Sequence, residues 1–345
     1  MTTEFSPGSV RSTAERLCGE SVISADPVSG SGNNRVYRVE GASGLYALKL
    51  YPPQDDDPRD RLGTEFTALQ FLTAQGPTSV PEPLARDTEN NAALYQWIDG
   101  DPITEPDDGD IGAAVEFVAA LKKLSRRKEA QALPPASEAC LSARDIIVQI
   151  SGRLQRLEGI AGPDTALQAF LADDFSPVFA DSTEQAGDDY ERQGLGLETP
   201  LDRRLRILSP SDFGFHNALR QQNEACIFLD FEYFGWDDPV KLACDFLLHP
   251  GMALNRDQSR RFAVEILETF KSDNSFPFRF NVLYSLFALR WCLILLNEYL
   301  PERWARRKIA GKYDDQKQAQ EMQLQKARDL LRVTVKSRGR NPYGN

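Results

Sequence analysis

The chain has 345 residues in an ordinary globular balance, 41 % apolar and 26 % charged, long enough for a large core and for two structural units. A formal net charge of −11 lacks the basic field of a nucleic-acid binder and serves mainly solubility. Only two histidines, His216 and His249, leave no room for a cluster of histidine metal ligands, and five scattered cysteines show neither zinc-site spacing nor a disulfide framework.

Residues 10–18 have helix-forming texture, after which the chain turns β-like. Short, partly alternating runs at 21–28, 35–40 and 45–50, parted by Gly, Ser and Asn, predict a small antiparallel sheet. An acidic loop from Pro52 to Asp60 leads to a helix over 61–74. Leu62, Phe66, Leu69 and Leu72 recur there at helical spacing, and Gly76-Pro77 stops it. Ala92 to Ile98 predicts another strand, closed by Asp99-Gly100. Beyond it come an amphipathic helix over 111–125, a break at Leu133-Pro134-Pro135, and helices over 141–158 and 164–174. Ser137 to Cys140 reads as a helix start with serine as its cap. The acidic stretch 181–200 reads as a solvated loop, and β-like runs follow at 205–208, 217–220 and 226–231. Helices are expected over 240–248, 257–271, 280–299 and 314–332. The apolar run Val282 to Leu296 is broken by Arg290 and followed by Asn297 and Glu298. It reads as a buried core helix, and no membrane insertion is expected. Without a signal-peptide pattern, and with unpaired thiols, the expected location is cytoplasmic. A β-rich first part and a helical remainder predict two lobes, parted near Gly100.

The chemistry concentrates in Pro210-Ser211-Asp212-Phe213-Gly214-Phe215-His216-Asn217 and in Phe228-Leu229-Asp230-Phe231-Glu232 behind it. Phosphoryl transfer needs a carboxylate to orient the attacking hydroxyl, and amide and carboxylate oxygens to hold Mg²⁺ on the phosphates. Asp212, Asn217 and Asp230 are those residue types in that order. Upstream, Lys49 ends an apolar strand, where an inward lysine can bind phosphates and be held by a helix glutamate, with Glu65 as the obvious partner. Gly30-Ser31-Gly32-Asn33-Asn34 joins two strands and can fold its N–H groups over phosphates; alone it would be an ordinary hairpin turn. Gln96 and Trp97, in the connection between the lobes, offer backbone groups to an adenine, while the Trp97 ring reads equally as core. Glu232, Tyr233, Trp236 and Asp237 combine aromatics with carboxylates. They read either as a cage for a cationic amine of the substrate or as packing.

Taken together, Gly30 to Asn34, Lys49, Glu65, the run ending at Asn217 and Asp230-Phe231-Glu232 resemble the aminoglycoside phosphotransferase and choline kinase superfamily, over roughly residues 20–300. The resemblance implies an α+β, protein-kinase-like two-lobed fold. A small β-rich N-lobe (1–99) would bind the nucleotide, and a large, mainly helical C-lobe (100–345) would carry catalysis and the acceptor. It implies transfer of the γ-phosphate of ATP to a hydroxyl of a small molecule (amino alcohol, sugar or aminoglycoside-like). Asp212 would be the catalytic base, Asn217 and Asp230 would hold Mg²⁺, and Lys49 with Glu65 would position ATP. Pro210 stands where the family usually has a histidine, which puts the geometry of this loop in question. His216 is expected to serve packing, Asp238 and Pro239 to shape a loop, and Asp245 to tie its helix to the catalytic loop. The alternative is a non-catalytic, kinase-like nucleotide-binding regulatory protein, against which stands the presence of every polar position in the set.

Overall fold

The structure, a computed structural model, describes residues 7–28, 35–52, 59–76, 79–162, 165–304, 315–337 and 340–343. It opens with α1 (Pro7–Cys18), then β1 (Val22–Pro27), β2 (Arg35–Gly41) and β3 (Leu45–Leu50). After α2 (Arg61–Gln75) come β4 (Pro83–Asp87) and β5 (Ala92–Gln96), completing an antiparallel sheet of order β1-β2-β3-β5-β4. Strand alternation divides its faces. Leu48, Leu50, Ala92 and Leu94 bury against Val10 and Ala14 of α1, while Tyr51, Ala93 and Tyr95 join the main core with α2. The Asp60 side chain caps α2 by accepting from the Gly63 N–H. β4 has no counterpart among the expected strands: it is an edge strand that begins at a proline, and its alternation is short.

The remainder is mostly helical around two small sheets. β6 (Asp101–Pro102) precedes α3 (Asp108–Leu124), and α4 (Ala143–Glu158) follows the proline break. α4 starts later than its sequence suggests, because the capping box is Ser142 with Asp145, and Ser137 caps nothing. α5 (Ala166–Ala169) passes through a π-helical turn at Phe170–Phe175 into α6 (Ser176–Arg192). The expected loop at 181–200 is therefore helical as far as Arg192. Its apolar stripe is thin, with only Ala186 and Tyr190 buried, and an acidic exposed face hides it. β7 (Ile207–Ser209) pairs with β10 (Gly235–Asp237), and the hairpin of β8 (Ala218–Arg220) and β9 (Cys226–Phe228) lies between them in sequence. α7 (Pro239–Leu248), α8 (Arg256–Thr269), α9 (Phe276–Leu295) and a C-terminal helix, Gln316–Lys336, complete the fold. The helix running on to Tyr299 is long and apolar enough to cross a membrane, but 83 % of its apolar window is buried inside the fold, as a core helix would be.

Candidate active site

On β3 the side chain between Leu48 and Leu50 must face α2, and there Glu65 receives it. Lys49 Nζ lies 2.6 Å from Glu65 Oε2 and 2.7 Å from Asp230 Oδ1. The Tyr51 hydroxyl donates to Glu65 Oε2 at 2.8 Å and lies 2.6 Å from the Tyr95 hydroxyl, while the Phe231 N–H donates to Glu65 Oε1 at 3.3 Å. A carboxylate with donors on both oxygens has little freedom to turn. Burial drives the Lys49 pKa down, but Asp230 and Glu65 more than reverse this, so the amine stays charged. Glu65 is pushed up to about 7, by burial first, against the pull of Lys49, with Asp230 and Glu232 adding repulsion. Glu65, Asp230 and Glu232 bring carboxylate oxygens within 4.8 Å of one another. Two cations make that crowding tolerable, Lys49 on Glu65 and Asp230, and Arg61 on Glu232.

The second half of the site hangs on the β8–β9 hairpin. Its register sets Ala218 opposite Phe228, so the Leu229 N–H donates to the Asn217 carbonyl at 2.8 Å. Asp230 follows at once, in the left-handed region at φ 64°. Asn217 Nδ2 donates to the Asp212 carbonyl at 3.0 Å, which turns its amide oxygen away from that carbonyl. The Asp212 carboxylate accepts from His216 Nε2 at 3.1 Å and keeps a side-chain exposure of 39 %. Burial raises the Asp212 pKa, but the His216 hydrogen bond and the nearby imidazoles outweigh it and hold the carboxyl well below its usual range. Asp212 is thus ionised at neutral pH, a weak proton acceptor and a good partner for a hydroxyl.

The loop carrying Asp212 is fixed from below. Phe213 is buried among Phe117, Phe228 and Phe246, with ring centroids 5.6, 4.9 and 5.4 Å away, and each such pair is worth about 0.5–1.5 kcal/mol beyond burial. A methyl group on Gly214 would lie 2.4 Å from Met252 Sδ, so this position has no room for one. Ser211, at φ 68°, donates its hydroxyl to the Ser137 carbonyl at 3.1 Å and accepts from Lys241 Nζ at 3.1 Å. Lys241 is wholly buried between Asp237 and Asp245, at 3.0 and 3.1 Å, and Asp245 is also held by Arg290 and Trp291. Ser211 and Lys241 tie in the loop beside Pro210, where the resemblance implies a histidine. The two histidines, few as they are, meet beside Asp212. Their rings stack with centroids 3.6 Å apart, and with Asp212 they bring possible ligand atoms within 4.8 Å of one another.

Asn217 and Asp230 offer amide and carboxylate oxygens beside further carboxylates, an all-oxygen anionic set of the kind Mg²⁺ takes. Gln96 is exposed, with Oε1 accepting from the Glu82 N–H at 3.3 Å, and half-buried Trp97 donates Nε1 to Asp99 at 2.7 Å. Gly30, Ser31, Gly32 and Asn34 lie outside the described residues. Of the two readings of Glu232, Tyr233, Trp236 and Asp237, cage or packing, their contacts are those of packing. Trp236 is 7 % exposed, with its indole N–H on the Ala130 carbonyl at 3.1 Å, so it is core. Asp237 is fully buried on Lys241, and Glu232 is buried on Arg61. Tyr233 is already faced by the guanidinium groups of Arg59 and Arg61, 4.9 and 5.3 Å from its ring centre. Residue type alone did not point to Tyr51, Tyr95, Ser211 or Lys241. His216 carried a readable signal in its spacing of four from Asp212.

Among solved structures, this fold is similar to a spectinomycin phosphotransferase bound to ADP and spectinomycin. The TM-score is 0.62 at 13 % identity, covering 96 % of this chain and 98 % of that one. It is also similar to an ethanolamine kinase of Plasmodium vivax (TM-score 0.55, 17 % identity, 90 % and 83 % covered) and a choline kinase of Streptococcus pneumoniae (0.54, 15 %, 94 % and 98 %). No curated protein matches the sequence. These likenesses establish a kinase-like fold, and the sequence itself matches the phosphotransferase enzyme family over residues 24–276, the stretch that holds Lys49, Glu65, Asp212, Asn217 and Asp230. The chain belongs to the phosphotransferase enzyme family.

Proposed function

We propose that this phosphotransferase moves the γ-phosphate of ATP, bound with Mg²⁺, to a hydroxyl of a small molecule of amino alcohol, sugar or aminoglycoside type. The observation that carries the reading is the Lys49–Glu65–Asp230 contact. It joins a fixed cation of the sheet to the hairpin that holds Asn217 and, through it, Asp212. On this reading Lys49, anchored by Glu65, holds the nucleotide phosphates. Asn217 and Asp230 hold Mg²⁺, which when bound neutralises phosphate charge. Asp212 aligns the acceptor hydroxyl with the phosphoryl group and takes its proton. Because its carboxyl is held low, it takes that proton late, in keeping with a loose transition state that asks more for position than for basicity. The backbone at Gln96 and Trp97 borders the adenine. Residues 1–99 then form the nucleotide lobe and residues 100–345 the catalytic and acceptor lobe.

The support is the family match together with similar folds solved with ADP and an aminoglycoside. The test is ADP release with Mg²⁺, ATP and a panel of amino alcohols, aminoglycosides and monosaccharides. Release that depends on one acceptor class and falls roughly 10²–10⁴-fold in Asp212→Asn is expected. Tight ATP binding with no turnover, not even slow transfer to water, would point instead to a regulatory nucleotide-binding protein.

A further inference from the structure

At the other end of β7 from Asp212 lies a cavity of about 500 Å³ that shares no lining residue with the site just described. Lys122, Arg126, Arg203, Arg204 and Arg206 line it, together with the rings of Trp236 and Phe270. Five cations around one cavity stand out in a chain of net charge −11. Among the described residues the only carboxylate in the lining is Asp273, and Arg279 already holds it at 2.6 Å. Among those residues, too, Arg204 alone of the five cations has an ion pair, with Asp202 at 2.7 Å. Arg206 donates twice to the Leu201 carbonyl, and Arg203 reaches the Gln131 carbonyl at 3.4 Å. Lys122 donates to the Thr269 carbonyl and lies 5.0 Å from the Phe270 ring centre. The Arg126 side chain makes neither a hydrogen bond nor an ion pair among the described residues. The Lys122 pKa is lowered, by burial first and then by repulsion from Arg126, against the pull of Asp273. Mutual repulsion of this kind is relieved by an entering anion.

We propose that this cavity binds a small polyanion, a phosphorylated or polycarboxylate metabolite. Guanidinium groups match phosphate and carboxylate oxygens in paired hydrogen bonds. A concave volume of this size suits a small molecule, whereas a membrane or a nucleic acid meets broad basic surfaces. The cavity is backed by the strand that leads into Asp212. Ser125 and Trp236 both line it; Ser125 Oγ accepts from the Leu208 N–H at 2.8 Å, and Trp236 pairs with Leu208 across β10 and β7.

The probe is inorganic pyrophosphate, titrated calorimetrically into protein dialysed free of divalent metal, in a buffer that contains no chelator or other polyanion. Saturable single-site binding that weakens with added salt is expected. In Arg126→Ser/Arg203→Ser it should weaken about tenfold or more, since one charge-assisted hydrogen bond is worth roughly that factor. Both positions are exposed, so the thermal midpoint should not move, and a Lys49→Ala variant should bind pyrophosphate as the unaltered chain does. Three outcomes would each overturn the proposal: no saturable binding at millimolar pyrophosphate, unchanged affinity in the double variant, or loss of binding in Lys49→Ala, which would place the probe in the nucleotide cleft.

Discussion

Replacing Lys49 by Met would separate two duties of its ammonium, neutralising buried carboxylates and holding the nucleotide. Removing one partner of a buried ion pair ordinarily costs about 3–5 kcal/mol, because the other charge stays buried. Here the other charge can leave. Glu65 sits at about 7, so protonating it near neutrality is almost free, and each pH unit above that adds about 1.4 kcal/mol. The sign follows from linkage. Because Glu65 is raised from 4.5, the folded chain holds this proton more tightly than the unfolded chain. The resulting stability is present at low pH and lost as pH climbs from 4.5 through 7. Lys49 is the group that pulls Glu65 down, so without it the folded pKa rises further and the loss continues past 7.

Urea unfolding of both proteins in EDTA, at about pH 6 and about pH 8.5, measures the difference in stability. At the lower pH it should be about 1–2 kcal/mol, from lost packing and hydrogen bonding, and at the higher pH it should widen by up to about 2 kcal/mol. Turnover with Mg²⁺ and ATP should be lost at both. A difference that stays constant or narrows with rising pH would show that Lys49 is not the counter-charge of Glu65.

Asp212→Asn should retain ATP binding and lose roughly 10²–10⁴-fold in kcat, because an amide cannot take the hydroxyl proton; wild-type turnover would refute the assignment. Asp230→Ala should abolish the Mg²⁺ dependence of nucleotide binding in calorimetry, and unchanged Mg·ATP affinity would place the metal elsewhere. Ser211→Ala leaves Lys241 its two carboxylates but frees the Asp212 loop, so kcat should fall while KM for ATP holds; a fall in thermal midpoint with kcat intact would make the contact structural only. Trp236→Ala should cost about 3–5 kcal/mol of stability as a core truncation and leave the KM of any acceptor unchanged; a raised KM would revive the cage.

How far the site was legible depends on where each side chain gets its position. The orientation of Lys49 follows from strand alternation, and Glu65 lies on the buried face of the next helix, so local periodicity was enough. Asn217 and Asp230 are adjacent because a short hairpin intervenes, and its turn is written in Gln222-Asn223-Glu224. What the local pattern left open has a different cause. Gly235-Trp236-Asp237 sits on a strand buried on both faces, where aromatics and acids lose the exposure that a ligand cage needs. Asp237 and Asp245, four residues to either side of Lys241, mark it locally as no more than a helix ion pair. It becomes a support only because Ser211 arrives from the loop that carries Asp212. A buried lysine with two carboxylates is costly to assemble and gains its use from the third contact, the one that reaches the residue beside Asp212. Such a contact is made by tertiary packing, and the positioning of Asp212 is where this chain departs from the pattern its motifs resemble.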